Sequence, residues 1–241
     1  MDMILTFCLF KNGIAMSLVL FDLDNTLLVG DSDYEWNNFL IEQGLLDPVV
    51  FRNVNEEFLS SYEDGSLDME SFCREIFEAL SVYSIATLES CRRTFIKKCI
   101  RDKIALGAPA LIDHHRACGD ELVMVTATNN FVVRPIAELL GIDTILATQP
   151  HIKDEHFTGA LMGPACFREG KIWHVERYLR QLGKNLHMVR RDALFYSDSH
   201  NDIPLMQWVS SPVAVDPDNI LLAHATQNNW PVISLRAPPT G

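Results

Sequence analysis

Six short apolar runs, each bounded by polar or turn-forming residues, constrain the fold of this chain more than any other feature. They lie at residues 18–22, 122–126, 144–148, 193–198, 212–216 and 231–235. Short continuous apolar runs are typical of strands that are buried on both faces. A sheet that is covered on both faces is most often a parallel sheet. We therefore expect these runs to form one parallel sheet.

Helical patterns lie between several of the runs. Residues 134–140 have Pro135 near their start and Gly141 directly after their end, which is the asymmetry of an α-helix. Between Ile172 and Gly183 apolar residues recur with helical spacing, so we expect a second helix there. Alternating strands and helices indicate the α/β class. We predict a Rossmann-like parallel sheet with helices on both faces.

Residues 32–107 break this alternation because they contain no comparable strand pattern and have the character of helices. A stripe of side chains from Leu88 to Cys99 follows helical spacing, and we interpret it as core packing. We predict that residues 32–107 form an all-helical cap inserted into a core of residues 17–31 and 108–241. Such an insert lies above the carboxyl edge of the sheet, where these folds bind ligands.

The charge of the chain narrows the class of ligand. The formal net charge is -12 and the isoelectric point is about 5.0. Nucleic acid and anionic membrane surfaces would be repelled, so we expect neither as a partner. The chain has no apolar run of about 18 residues, so we expect no transmembrane helix. A small-molecule ligand, bound by a monomer or a homodimer, is the expectation that fits.

The cysteines and the N-terminus indicate the compartment. The six cysteines contain no CxxC pair and no regular spacing, which favours reduced thiols. Asp2 stands where a signal peptide requires positive charge. We therefore predict a cytoplasmic protein in which residues 1–16 are an N-terminal extension, with the first 15 outside the fold.

Polar residues gather at the carboxyl ends of the predicted strands and at the start of one helix. They are Asp22, Asp24, Thr126, Asp198, Asp202 and Lys171. Parallel strands place these residues at one edge of the sheet. Crowded carboxylates repel each other unless a cation is bound, and hard oxygen ligands select Mg²⁺. The sequence therefore predicts a magnesium site.

The same set of residues suits phosphoryl chemistry. Mg²⁺, an ammonium group and a hydroxyl neutralise a phosphoryl group during transfer. One of the two carboxylates separated by a single leucine can attack phosphorus, and the other can give a proton to the leaving oxygen and take one from water. This division of roles explains why Asp22 and Asp24 occur as a pair.

Four segments that follow predicted strands or begin a helix form a recognisable set: DLDNT at 22–26, VMVTATN, Lys171 and YSDSHND. DLDNT resembles the DxDxT signature of the haloacid dehalogenase superfamily, and the other three resemble its second, third and fourth motifs, in the correct order. The position of the helical insert resembles the subgroup whose cap lies between the first two motifs, as in phosphoserine phosphatase. The resemblance extends from Ser17 to about residue 236. It implies a magnesium-dependent phosphatase that acts on a small phosphorylated metabolite.

Residue roles in the first motif follow from this resemblance. Asp22 would be the nucleophile and a magnesium ligand. Asp24 would be the general acid and base, with its backbone carbonyl on the metal. Thr26 would brace the loop.

The resemblance also assigns roles in the other motifs. Thr126 and the amide of Ala127 would hold phosphate oxygens. Lys171 would neutralise the phosphoryl group and the nucleophile. Asp198 would complete the metal shell, and Asn201 and Asp202 would assist through the phosphate and through metal-bound water.

Residues at the start of the predicted cap indicate the class of substrate. Asp31 lies nine residues after Asp22, where the resembling phosphoserine phosphatases carry an acid that receives the substrate's ammonium group. The alternative is a helix that starts at an N-cap on Ser32 and favours acids in its first turn. Ile76 stands where the carboxylate-binding arginine would lie. We therefore expect a small amine-bearing phosphate monoester, of the histidinol phosphate or phosphoserine class.

Two further hypotheses remain open. A phosphotransferase would pass the same aspartyl phosphate to an alcohol, and a non-catalytic binding protein would use the same pocket without turnover. We also expect residues 151–159 to form a hairpin beside the site, with its turn at Thr158 and Gly159.

Overall fold

A parallel six-stranded sheet forms the centre of the protein in a computed structural model, which describes residues 16–236. The described strands, including two outside this sheet, are β1 Leu18–Phe21, β2 Glu121–Asn129, β3 Thr144–Thr148, β4 Pro150–Lys153, β5 His156–Leu161, β6 Leu194–Ser197, β7 Ser211–Val215 and β8 Val232–Ile233. The order across the sheet is β3-β2-β1-β6-β7-β8, and every pair is parallel. The predicted α/β class is confirmed.

The sheet is stable because both of its faces are covered. In β1, Val19 and Phe21 join one apolar core, while Leu18 and Leu20 join a second core on the opposite face. All four side chains are buried. Val19 lies in register with Leu122 of β2 on one side of the strand and with β6 on the other. β1 therefore lies in the middle of the sheet, and its carboxyl end opens between two neighbours.

Helices account for most of the remaining chain. The α-helices of the described residues are α1 Ser32–Glu42, α2 Pro48–Asp64, α3 Met69–Leu80, α4 Ile85–Phe95, α5 Ala108–Ala117, α6 Asn130–Leu140, α7 Glu169–Gln181, α8 Leu186–Arg190, α9 Ile203–Trp208 and α10 Asn219–Asn228. Short turns of π-helix and 3₁₀-helix occupy Ile96–Ile100, Arg101–Lys103 and His200–Asp202. No helix of the described chain is long and apolar enough to cross a membrane.

The stretch from α1 to Lys103 is helical, and we call it the helical segment. Each of its first four helices has a polar N-cap, because Asp31, Asp47, Asp68 and Ser84 each accept a hydrogen bond from a backbone N–H in the first turn. Its apolar faces join the core on one side of the sheet. The segment is therefore packed onto the sheet and is not an independent appendage.

Two local predictions are corrected by the structure. The hairpin of β4 and β5 turns at Asp154 and Glu155, which both have left-handed φ angles of 50° and 61°. Thr158 and Gly159 lie inside β5 instead. Helix α6 begins at Asn130, so Pro135 lies inside the helix and not at its start. The predicted extension at residues 1–15 lies outside the described residues.

Candidate active site

The residues singled out by the sequence meet at the carboxyl edge of the sheet. Asp22 directly follows β1, Thr126 lies in β2, and Asp198 directly follows β6. Lys171 lies in the first turn of α7. Gly170 permits this placement, because a Cβ at that position would be 2.0 Å from the backbone oxygen of Ala165. The sequence therefore needs glycine beside Lys171 to bring α7 close to the loop before it.

Lys171 is the centre of a buried ion-pair network. Its Nζ donates to Oδ1 of Asp22 at 2.7 Å and to Oδ2 of Asp202 at 2.6 Å. Only 1% of Lys171 is exposed. The hydroxyl of Ser197 donates to the same oxygen of Asp202 at 2.7 Å. Removal from water makes each of these contacts stronger than its surface equivalent and makes a missing partner costly.

The carboxylate of Asp24 is fixed by two donors from outside its own loop. The backbone N–H of Ser32, at the start of α1, donates to Oδ1 at 2.6 Å. The hydroxyl of Thr128, in β2, donates to Oδ2 at 2.6 Å. Asp24 therefore connects the first motif to the helical segment and to the neighbouring strand. Thr128 lies within the second motif, but nothing in the motif indicates that its hydroxyl reaches Asp24.

Asp198 and Thr26 hold each other in place. The Thr26 hydroxyl donates to Oδ1 of Asp198 at 3.0 Å and accepts from the backbone N–H of Asp198 at 3.0 Å. The first and fourth motifs are joined by this reciprocal pair. The charge of Asp22 also acts on Asp198, so the two carboxyl groups lie near each other.

Burial perturbs the acids of this cluster. It raises the pKa of Asp22 to about 7, against the opposing charge of Lys171. It also raises the pKa of Asp24, and it raises that of Asp198 well above its usual value with help from the charges of Asp22 and Asp202. For Lys171, burial favours the neutral amine, but Asp202 and Asp22 outweigh it and raise the pKa. The cluster therefore holds more negative charge than one ammonium group can neutralise.

The oxygen donors of this cluster suit a metal ion that is bound by few protein ligands. Four carboxylates, those of Asp22, Asp24, Asp198 and Asp202, are buried or half-buried here, and only Asp22 and Asp202 bond to Lys171. Oδ1 of Asp202 is buried and has no hydrogen-bond partner among the described residues. Among the described residues, no group of three or more His, Cys, Asp or Glu side chains is placed so that it could hold a metal ion. One or two carboxylates with an unpartnered oxygen still fit Mg²⁺, because Mg²⁺ keeps several waters when proteins bind it.

A pocket opens beside Asp22 and Asp24. The residues that line it come from the core and from the helical segment; they are Asp22, Asp24, Asp31, Asp33, Phe58, Tyr62, Met69, Thr126, Ala127 and Thr128. No lysine or arginine is in this set. The lining of the pocket is therefore rich in acidic and aromatic side chains.

Asp31 caps helix α1 and also lines this pocket. Its Oδ1 accepts from the N–H of Tyr34 at 2.8 Å, so Asp31 is the N-cap of α1. The alternative that placed the N-cap on Ser32 is corrected by one residue, because Ser32 is the first residue of the helix. Asp31 also lines the pocket, so its capping role and its exposure to a ligand coexist.

The remaining predicted residues are distributed as follows. Thr126 and Ala127 line the pocket next to Asp22. Asn201 lies near the site, but its amide Nδ2 donates to the backbone oxygen of Tyr62 at 2.9 Å and its Oδ1 accepts from Nε of Arg168 at 3.0 Å. The side chain of Asn201 is thus engaged with the helical segment and with the loop before α7.

Comparison with known proteins identifies the family. The model of the haloacid dehalogenase-like hydrolases matches residues 19–207. The chain belongs to this family.

The chain is also similar to individual proteins. It is 37% identical over 221 residues to the histidinol-phosphatase of Neisseria meningitidis serogroup C, which covers 91% of this chain and 99% of that protein. A crystal structure of a protein of unknown function from Bordetella pertussis Tohama I matches with a TM-score of 0.85 and 37% identity, over 92% of this chain and 99% of the other. A phospho-aspartyl intermediate analogue of phosphoserine phosphatase shares the fold, with a TM-score of 0.65 and 22% identity over 91% and 93%. Within its family, the chain is a phosphatase.

Proposed function

We propose that the protein hydrolyses a small, amine-bearing phosphate monoester of the histidinol phosphate class, with Mg²⁺ and through an aspartyl phosphate on Asp22. One observation supports this proposal above the others. Asp22 is held by Lys171 at 2.7 Å, and it lines one pocket together with Asp24, two further acids and two aromatic rings. We assign Asp22 and Asp24 to a reactive end for phosphate, and the other acids and the aromatic rings of the lining to a recognition end for a cation.

The first half-reaction divides between the two aspartates. An oxygen of Asp22 attacks phosphorus while the bond from phosphorus to the ester oxygen breaks. Asp24 donates its proton to that oxygen, so that the alcohol leaves neutral. Burial raises the pKa of Asp24, which favours the protonated form that this step requires. Lys171 offsets negative charge at the reacting group.

The second half-reaction regenerates the enzyme. Asp24, now ionised, takes a proton from water, and the water oxygen attacks phosphorus. The bond between phosphorus and Asp22 breaks, and inorganic phosphate leaves. We assign Thr126 and the backbone N–H of Ala127 to phosphate oxygens, and the position of both residues in the lining of the pocket that contains Asp22 supports this assignment.

Mg²⁺ would be held by the carboxylates of Asp22 and Asp198 and by the backbone carbonyl of Asp24, with Asp202 reaching it through water. When bound, it would neutralise charge on the phosphoryl oxygens. The orphaned oxygen of Asp202 and the surplus of carboxylates support this assignment.

The recognition end favours an amine without a carboxylate. Asp31 and Asp33 line it together with the rings of Phe58 and Tyr62. Carboxylates attract an ammonium group, and aromatic faces accept a cation or a flat ring. An unpaired substrate carboxylate would meet like charge there, since the lining contains no arginine. Histidinol phosphate has an amine and an imidazole and no carboxylate, and a relative of 37% identity bears the name histidinol-phosphatase.

A matched substrate panel tests the proposal. Phosphate release with Mg²⁺ is measured for histidinol phosphate, phosphoethanolamine, glycerol phosphate and phosphoserine, with Asp22→Asn as the inactive control. We expect kcat/KM to be highest for histidinol phosphate, lower for phosphoethanolamine, and lowest for the two substrates that lack a net cationic end. Equal turnover by the Asp22→Asn variant would refute the assigned nucleophile. A preference for phosphoserine would refute the assigned substrate class.

An acceptor assay separates hydrolysis from phosphotransfer. Glycerol or another alcohol is added, and both inorganic phosphate and the new ester are quantified. The proposal predicts inorganic phosphate as the main product. A dominant new ester would show that the protein is a phosphotransferase.

A further inference from the structure

The end of helix α2 is held by donors from two loops of the core. We call them the catalytic loops: one precedes α7 and leads to Lys171, and the other follows β6 and contains Asp202. The guanidinium Nη2 of Arg168 donates to the backbone oxygen of Gly65, which directly follows α2. Nδ2 of Asn201 donates to the backbone oxygen of Tyr62, in the last turn of α2, at 2.9 Å. The ring of Phe167 packs on the ring of Tyr62 with 5.8 Å between centroids.

These contacts suit the end of a helix. The last carbonyl groups of an α-helix have no partner within the helix, and they carry the negative end of its dipole. A positively charged donor such as Arg168 satisfies both features. The contact therefore favours the position in which α2 lies against the core.

Arg168 also belongs to a closed ring of contacts around the catalytic lysine. Its Nε donates to Oδ1 of Asn201 at 3.0 Å. Asn201 is adjacent in sequence to Asp202, which accepts from Nζ of Lys171 at 2.6 Å. The backbone N–H of Lys171 in turn donates to the backbone oxygen of Arg168 at 3.0 Å. Arg168 thus connects both ends of the Lys171–Asp202 pair to the helical segment.

The backbone of Arg168 supports a role beyond packing. Its φ angle is 50° and its ψ angle is -122°, a conformation that costs free energy in a residue with a Cβ. Glycine would adopt this conformation without the steric penalty. The chain carries arginine there, and the side chain makes three separate contacts, with Asn201, Gly65 and the ring of Phe167.

We propose that Arg168 is a positioning residue for the phosphatase reaction. By clamping the end of α2 to both catalytic loops, Arg168 fixes the Lys171–Asp202 pair and the ring of Tyr62, which lines the pocket, in one geometry. This role requires two donors on one rigid group, which a guanidinium provides and an ammonium does not. The proposal presupposes the phosphatase reaction, so its test includes a measurement on the protein without substrate.

Steady-state kinetics give the first measurement. Arg168→Gln and Arg168→Lys are compared with Arg177→Gln, which removes the same charge from an exposed position on α7. Both changes at Arg168 are expected to lower kcat by about tenfold, the effect of losing one charge-assisted hydrogen bond. KM should change less than kcat, because the clamp acts on Lys171 and not on the ligand directly. Full activity of Arg168→Lys would overturn the requirement for two donors.

Two glycine variants separate the clamp from backbone strain. Gly65 and Gly44 have similar φ angles of +75° and +71°. A Cβ on Gly65 would lie 2.8 Å from Nη2 of Arg168, whereas a Cβ on Gly44 would meet nothing within 4 Å. Gly65→Ala should therefore lower kcat, while Gly44→Ala should lower the melting temperature without lowering kcat. Equal effects of the two variants on kcat would contradict the clamp.

Hydrogen exchange on the substrate-free protein decides between the clamp and a local role. Arg168→Gln should speed amide exchange in peptides covering residues 58–68 and 197–203, and Arg177→Gln should leave both unchanged. Faster exchange confined to residues 165–170 would show that Arg168 only orders its own loop. If no phosphate ester is hydrolysed but the exchange result holds, the proposed function fails, and the clamp stands only as a structural contact between α2 and the core. If turnover is normal in Arg168→Gln, the clamp fails and the proposed function stands.

Discussion

Replacing Asp33 with asparagine should stabilise the protein in a strongly pH-dependent way. Asp33 is 5% exposed, and its Oδ1 accepts from Nδ2 of Asn129 at 2.8 Å. Burial, with a contribution from the charge of Asp24, raises the pKa of Asp33 to about 8. An asparagine has nearly the same shape and can accept the same hydrogen bond, but it has no charge to bury.

The magnitude follows from the shifted pKa. A carboxyl whose pKa is higher in the folded state stabilises the protein below its unfolded pKa, and this stabilisation is lost as pH rises through the folded pKa. One pKa unit corresponds to about 1.4 kcal/mol. Between roughly pH 4 and pH 8, wild type should therefore lose about 1.4 kcal/mol per pH unit relative to Asp33→Asn. The advantage of the variant should be about 2 to 3 kcal/mol larger at pH 7 than at pH 5.

Urea denaturation of metal-free protein at pH 5, 6 and 7 measures this difference. Asp102→Asn removes one exposed carboxylate and is the matched control, for which we expect no comparable pH dependence. A constant difference in unfolding free energy at all three pH values would refute the reasoning.

Three further changes test the catalytic network. Lys171→Met leaves buried carboxylates unpaired, so it should lower the free energy of unfolding by about 3 to 5 kcal/mol in urea titrations. The control Lys103→Met breaks a half-exposed pair with Glu35 and should lower it by less than about 1 kcal/mol. Equal losses in the two variants would contradict the network. Asp24→Asn should lower kcat for alkyl phosphates by about 10² to 10⁴. A smaller loss of kcat with an ester that has an acidic leaving group would show that the variant lacks the proton that Asp24 donates. Chelation of divalent ions should abolish phosphate release and added Mg²⁺ should restore it; turnover that persists in the chelator would refute the metal requirement.

The sheet could be predicted from sequence because burial on both faces leaves a local record. A strand covered on both sides must be apolar at consecutive positions, so β1, β6 and β7 follow their apolar runs within about one or two residues. β8 is shorter than its run because it lies at the edge of the sheet and its residues are only half-buried. β2 is longer than its run, since pairing with β3 continues past an irregularity to Asn129.

The start of α6 could not be predicted because the compensation for Pro135 is remote. Proline lacks an N–H, so the backbone oxygen four residues earlier, that of Phe131, loses its helical partner. The guanidinium of Arg92 donates to that oxygen, and it also lies 4.2 Å from the centroid of the Phe131 ring. Arg92 belongs to α4, and nothing in the local pattern indicates that it reaches α6.

The site shows the same division between local and remote signals. Asp22, Asp24 and Lys171 follow recognisable motifs, so they could be named from sequence. Asp24 is fixed by two partners from other elements, Ser32 and Thr128. Only the packing of those elements brings the two partners to Asp24. Arg168 gave no sequence signal for the same reason, since its acceptors lie in distant loops.

Trapping the covalent intermediate tests the central claim most directly. Asp24→Asn is mixed with a radiolabelled aryl phosphate, whose acidic leaving group needs no proton, so that formation of the intermediate outruns its hydrolysis. After an acid quench, peptide analysis should place a hydroxylamine-sensitive label on Asp22 alone. Label on any other residue, or none at all while wild type releases phosphate, would contradict the account.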